Sequence, residues 1–148
     1  MPIEDLEPFV GTWDVEARFP AEWQAPPVEG EVSTTFEWLL GGAFLLMRSQ
    51  APDPVPNGHC ILGANEATGG FTQHYFDNRG VARVYEMGFD GTTWTLERST
   101  ADFTPLDFLQ RYVGTFDDDG RAIRGAWEIC HDGQTWQNDF ELDYLRRR

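Results

Sequence analysis

The sequence predicts an all-β fold: about ten antiparallel strands in up-and-down order, closed into a barrel, after a short N-terminal helical turn. Three observations predict it. Residues that tolerate positive φ recur at short intervals, at Leu40-Gly41-Gly42, Ala67-Thr68-Gly69-Gly70, Asp77-Asn78-Arg79-Gly80, Asp90-Gly91, Asp117-Asp118-Asp119-Gly120 and Asp132-Gly133. The segments between them are roughly 7–10 residues long and alternate apolar with polar side chains. No stretch of helix length repeats with the helical period, which sets parallel βαβ architectures aside.

The elements follow in order. Residues 3–9 form the helical turn, and the first strand runs near 11–19. In it Trp13, Val15, Ala17 and Phe19 share one face, opposite Asp14, Glu16 and Arg18. Pro20 to Val28 is a Pro-rich rim loop whose Trp23 either packs on the rim or caps a cavity mouth. Strands near 29–39 and 43–50 come next, then a second Pro-rich rim loop from Ala51 to Gly58. Strands near 58–64, 70–77, 81–88, 92–99, 107–116 and 121–130 continue the meander. The last strand, near 134–145, alternates most regularly. Trp136, Asn138, Phe140, Leu142 and Tyr144 point one way, and Gln137, Asp139, Glu141 and Asp143 the other. Closure removes the exposed edges an open sheet would leave. Side chains just fill a barrel of about eight strands, so about ten should enclose a cavity.

Composition narrows the function. A chain of 148 residues, 41% hydrophobic and 14% aromatic, is expected to be one folded domain over 1–148. A net charge of −14 opposes binding to nucleic acid or to anionic membrane surfaces. The one basic run, Arg146-Arg147-Arg148, reads as a solvated tail. All eleven basic residues are arginine, so Schiff-base chemistry and covalent pyridoxal phosphate, which need a lysine amine, are excluded. The acidic start lacks the features of a signal peptide, and there is no run of 18 apolar residues. Cytoplasmic location, with Cys60 and Cys130 as free thiols, is the expectation. Nucleophile-elbow, phosphate-loop and dinucleotide motifs are absent.

Several side chains could carry chemistry. In Thr72-Gln73-His74-Tyr75-Phe76, an inward His74 would serve as acid or base near neutral pH, with Tyr85 or an inward carboxylate as its partner. Arg48, Arg83, Arg98 and Arg111 fall on strands, where an inward one would hold an anion and an outward one an ion pair. Glu128 and Asp139 could pair across the last two strands, although their alternation puts them on the polar face. His59-Cys60 and Cys130-His131 resemble metal half-sites, but neighbours on a strand face opposite ways, so no metal site is expected. A ligand inside the barrel would meet Trp38, Trp127, Asn138 and Tyr144, with Arg111 or His74 fixing its polar end.

The opening Leu6-Glu7-Pro8-Phe9-Val10-Gly11-Thr12-Trp13 resembles the Gly-x-Trp start of the calycins, the lipocalins and their relatives. The resemblance implies that Trp13 packs across the closed end of the barrel. His74 to Val81, Gly120, Gly125-x-Trp127-Glu128, Asp132-Gly133, Trp136, Asp139-Phe140 and Tyr144 look like a largely uncharacterised bacterial calycin-like family of about this length. A more distant similarity is to the nitrobindins, ten-stranded haem barrels that begin Gly-x-Trp-x-Gly-x-Gly. Gly11 to Ala17 lacks the two later glycines. Nitrobindins bind haem through a late histidine, which here would be His131, in a predicted hairpin turn.

The expected function is binding of a small, mostly apolar or aromatic molecule inside the barrel, with no cofactor. The alternatives are a cofactor-free cyclase or isomerase using His74, a haem protein of nitrobindin type, and a structural module with a filled interior. An apolar patch on the outer face would add a homodimer.

Overall fold

Turn chemistry sets the strand boundaries. The computed structural model describes residues 2–24, 30–103 and 105–147. Hairpin after hairpin is opened by an Asn or Asp whose side chain accepts the N–H two residues on. Asn65 takes it from Ala67 (3.1 Å), Asp77 from Arg79 (2.9 Å), Asp90 from Thr92 (2.9 Å), Asp119 from Arg121 (3.0 Å) and Asp132 from Gln134 (2.8 Å). Such a bond offers the backbone an alternative to the sheet ladder, and the chain reverses there.

Between these turns lie β1 (Gly11–Arg18), β2 (Ser33–Leu39), β3 (Phe44–Gln50), β4 (Gly58–Asn65), β5 (Gly70–Asp77), β6 (Ala82–Phe89), β7 (Thr93–Arg98), β8 (Leu109–Phe116), β9 (Ala122–Cys130) and β10 (Gln137–Arg146). Each pairs antiparallel with the next, and β1 pairs with β10, so the sheet is a closed ten-stranded barrel. At the seam Trp13 lies opposite Arg146 and Ala17 opposite Leu142. No described helix is long and apolar enough to cross a membrane.

Two boundaries differ from the sequence expectation by three residues or more. The second strand begins at Ser33, not near 29; residues 25–29 lie outside the described part. The last begins at Gln137, not 134, because Asp132 also takes the Thr135 N–H (2.7 Å) and holds that segment in the turn. Pairing of β10 with β9 then slips between Asn138 and Phe140, leaving Asp139 as a bulge. A bulge adds one residue and inverts the side-chain alternation on one side of it.

One end of the barrel is plugged. The 3-10 helix Ile3–Phe9 inserts Leu6 and Phe9, both fully buried. A helix this short does not persist alone, so packing holds it. Phe9 meets Phe36 (5.3 Å between ring centres), Phe89 (4.9 Å), Trp94 (5.1 Å) and Phe116 (5.1 Å). Trp13 closes the layer and donates its indole N–H to the Phe9 carbonyl (2.9 Å).

The expected solvated tail is corrected here for Arg146 and Arg147. Arg146 ends β10 and lays its guanidinium over the Trp13 ring, 4.1 Å from its centre. It donates to the carbonyls of Val10 (2.7 Å) and Pro8 (2.5 Å), tying the plug to the seam. Gly11 makes room for this: its φ is +133°, and a Cβ would stand 2.7 Å from Arg146 Nη1. Arg147 pairs with Asp14 and Glu31.

Candidate functional site

The plug fills only one end. Above it the barrel encloses a cavity of about 1100 Å³ that opens at the other end. The mouth is bordered by the close of β1, by Gly30 and Val32, and by Ala51, Val55 and Pro56 of the loop between β3 and β4. Phe19, Trp23 and Phe140 cluster there, Phe19 with its ring centre 5.6 Å from Trp23 and 5.4 Å from Phe140. Trp23 is about half exposed, so it packs on the rim and still faces solvent.

Strand alternation decides what lines the interior. On β5, Phe71, Gln73 and Tyr75 point inward. On β6, Arg83, Tyr85 and Met87 do, and on β8, Gln110 and Tyr112. Trp127 forms an aromatic wall, with its ring centre 5.6 Å from Tyr85 and 5.4 Å from Tyr112. Trp94 and Tyr144 form the floor, 5.6 Å apart. Tyr112 reaches over β9 to donate to the Leu142 carbonyl of β10 (3.0 Å). It passes over Gly125, where any side chain would collide with the phenol.

The residues selected from sequence divide accordingly. Tyr85, Trp127 and Tyr144 line the cavity. His74 does not: it sits between inward Gln73 and Tyr75 and therefore faces out, opposite Ile61 and Val84. Arg111 also faces out, holding Glu128 through Nε (3.0 Å) and lying over the Trp136 ring (4.0 Å). Asn138 is turned outward by the Asp139 bulge, which pairs it with outward Glu128. Trp38 lies at the plugged end, its indole donating to Glu7 (2.8 Å). The same parity explains the residues missed: Gln73, Tyr75 and Gln110 each stand one position from a residue chosen for its chemistry. Reading β5 from Phe71, an apolar anchor, would have found the first two.

The interior donates hydrogen bonds and holds its protons. Burial pushes the Cys60 thiol up to about 12, and Gln73 Nε2 beside it (3.6 Å) offsets this only in part. Burial likewise raises Tyr75, Tyr112 and Tyr144, as it does Tyr85, which neighbouring Arg83 draws partly back. At neutral pH these groups are neutral donors, not bases or nucleophiles. Three buried polar atoms among the described lining residues have no protein partner: Gln73 Oε1, Trp94 Nε1 and Arg83 Nε. Each such atom costs about 1–3 kcal/mol if it stays unmet.

A histidine-ligated haem does not fit this arrangement. His59 and His74 alternate away from the interior, and His131 stands exposed in the turn after β9, with Phe108 as its ring neighbour (5.9 Å).

At the rim, Asp77 organises the start of the β5–β6 turn. It accepts from Tyr75 Oη (2.6 Å) and Arg79 Nη2 (2.6 Å), its side chain fully buried. Burial pushes its carboxyl up, but the Arg79 and Tyr75 hydrogen bonds outweigh this and hold it at about 2, against 3.8 unperturbed. The unfolded chain therefore takes up the proton first. The contribution of Asp77 to stability is complete above about pH 4 and gone below about pH 2. We expect Asp77→Asn to flatten the fall in urea midpoint between pH 5 and 2; a midpoint falling as steeply in the variant would contradict this role.

Residues 4–146 match a family model described as "Protein of unknown function (DUF1579)". The chain belongs to the DUF1579 family. No curated protein matches this DUF1579 chain. Among solved structures it is similar to Rv2717c from M. tuberculosis, at 16% identity and a TM-score of 0.62, covering 99% of this chain and 97% of that one. At that identity the likeness is one of fold.

Proposed function

We propose that this DUF1579 protein is a calycin-type carrier or receptor that binds a small, mostly apolar or aromatic molecule with a polar handle inside its barrel. The cavity carries the proposal. It is large enough for a drug-sized molecule, is walled by Trp94, Trp127 and Tyr85, and has three lining residues that each carry a buried polar atom without a protein partner. A filled interior would have favoured a structural module instead. An acid–base enzyme has less support, because His74 lies outside and the inward phenols keep their protons. Two buried, unpaired thiols fit a cytoplasmic setting.

The test uses N-phenyl-1-naphthylamine, a neutral aromatic probe that fluoresces in apolar surroundings. We expect saturable binding at one site, with energy transfer from Trp94 and Trp127. Ala17 lines the wall, so Ala17→Trp should weaken binding at least tenfold. Absence of saturable binding, or equal affinity in the Ala17→Trp variant, would overturn the proposal.

A further inference from the structure

Arg83 stands apart from the other arginines that line the cavity. Arg18 is matched by Glu141 (2.6 Å) and Asp143 (3.0 Å), and Arg79 by Asp77 (2.6 Å). Arg83 has no carboxylate within ion-pair distance among the described residues, in a chain whose net charge is −14. Its Nη1 donates to Gln110 Oε1 (3.1 Å) and its guanidinium lies over Phe108 (5.7 Å), but its buried Nε–H has no acceptor. Gln110 is oriented by its neighbours. Its Oε1 accepts from both Arg83 and the Tyr85 hydroxyl (3.2 Å), so its amide NH₂ is the end left to donate. A fixed positive charge from β6 and a free amide donor from β8 thus meet inside the barrel, beside the aromatic wall of Tyr85 and Trp127.

We infer that the ligand of this cavity is an amphipathic oxyanion, an apolar or aromatic body whose single acidic group is received by Arg83 and Gln110. This rests on the binding reading above and deepens it. A guanidinium cannot shed its proton, so an unmatched one facing an apolar cavity selects for a negative partner. Arg111, the residue chosen from sequence for this task, already holds Glu128 on the outer face.

Two probes of one shape separate the outcomes. 8-Anilinonaphthalene-1-sulfonate is N-phenyl-1-naphthylamine with a sulfonate added. The wild-type protein should bind the sulfonate probe the more tightly of the two. Arg83→Met should lose roughly ten- to a hundredfold affinity for the sulfonate probe, the loss of one charge-assisted contact, and change less than threefold for the neutral probe. Arg83→Lys, which keeps the charge, should recover part of the loss. Raising salt on the wild type should weaken only the sulfonate probe, a readout that needs no variant. If neither probe binds, the cavity reading fails. If the neutral probe binds but the sulfonate probe is no tighter, or Arg83→Met weakens both equally, the cavity reading stands and the anion site is overturned.

Discussion

Replacing Asp102 with Ala should cost about 3–5 kcal/mol of stability, because it breaks a buried ion pair. Asp102 and Arg98 are a buried pair, with side chains 5% and 1% exposed. The contact is bidentate: Arg98 Nε donates to Oδ2 and Nη2 to Oδ1, both at 2.9 Å. Arg98 Nη2 also donates to the Pro105 carbonyl (3.1 Å), and Asp102 Oδ2 accepts the Val84 N–H (2.8 Å). One carboxylate therefore joins the end of β7, the loop after it and the start of β6. Truncation leaves a guanidinium that cannot deprotonate inside the protein, and orphans a backbone donor. The double variant Arg98→Met with Asp102→Leu removes both charges and should recover most of the loss. Urea denaturation at constant slope measures this. An Asp102→Ala variant within 1 kcal/mol of wild type would show that the pair is solvated.

Phe9→Ala should cost about as much, 3–5 kcal/mol, by a different route. The Phe9 ring is fully buried and touches four other aromatic rings, so its removal opens a cavity in a layer that rigid neighbours cannot refill. The Phe9 carbonyl remains, and with it the Trp13 hydrogen bond, so the loss reports packing. Phe103→Ala is the control: Phe103 is 69% exposed, and its loss should stay within about 0.5 kcal/mol. Equal losses at the two positions would refute the plug as the stabilising layer.

Much of the fold was legible because its signals are local. Asp77, Asp90 and Asp132 make their turns with their own side chains, within a few residues, whatever the rest of the chain does. The resemblance of the opening eight residues to the calycin start implied Trp13 at the closed end, and it lies there. The site was harder to read because it depends on parity. His74 and Arg111 attract attention as chemistry, yet each is one residue from the inward position, at Tyr75 and Gln110. In strands with mixed polarity on both faces, composition does not say which face is inside. In β10 the alternation was correct over Phe140, Leu142 and Tyr144 and failed at Asn138, because a bulge at Asp139 carries no sequence mark of its own.

The amino-acid sequence alone determined the strand number and the meander order, since turns and alternation are properties of near neighbours; the closed end was implied by the resemblance of Gly11-Thr12-Trp13 to the calycin start. It also determined that lysine chemistry is absent. Only the tertiary structure decided which polar groups face the cavity and which of them lack partners. Arg83 differs from Arg79 and Arg111 solely in what the folded chain brings beside it: Asp77 and Glu128 for those two, and for Arg83 the neutral amide of Gln110. Pairing of charges across strands is set by register, and register is a property of the closed barrel as a whole.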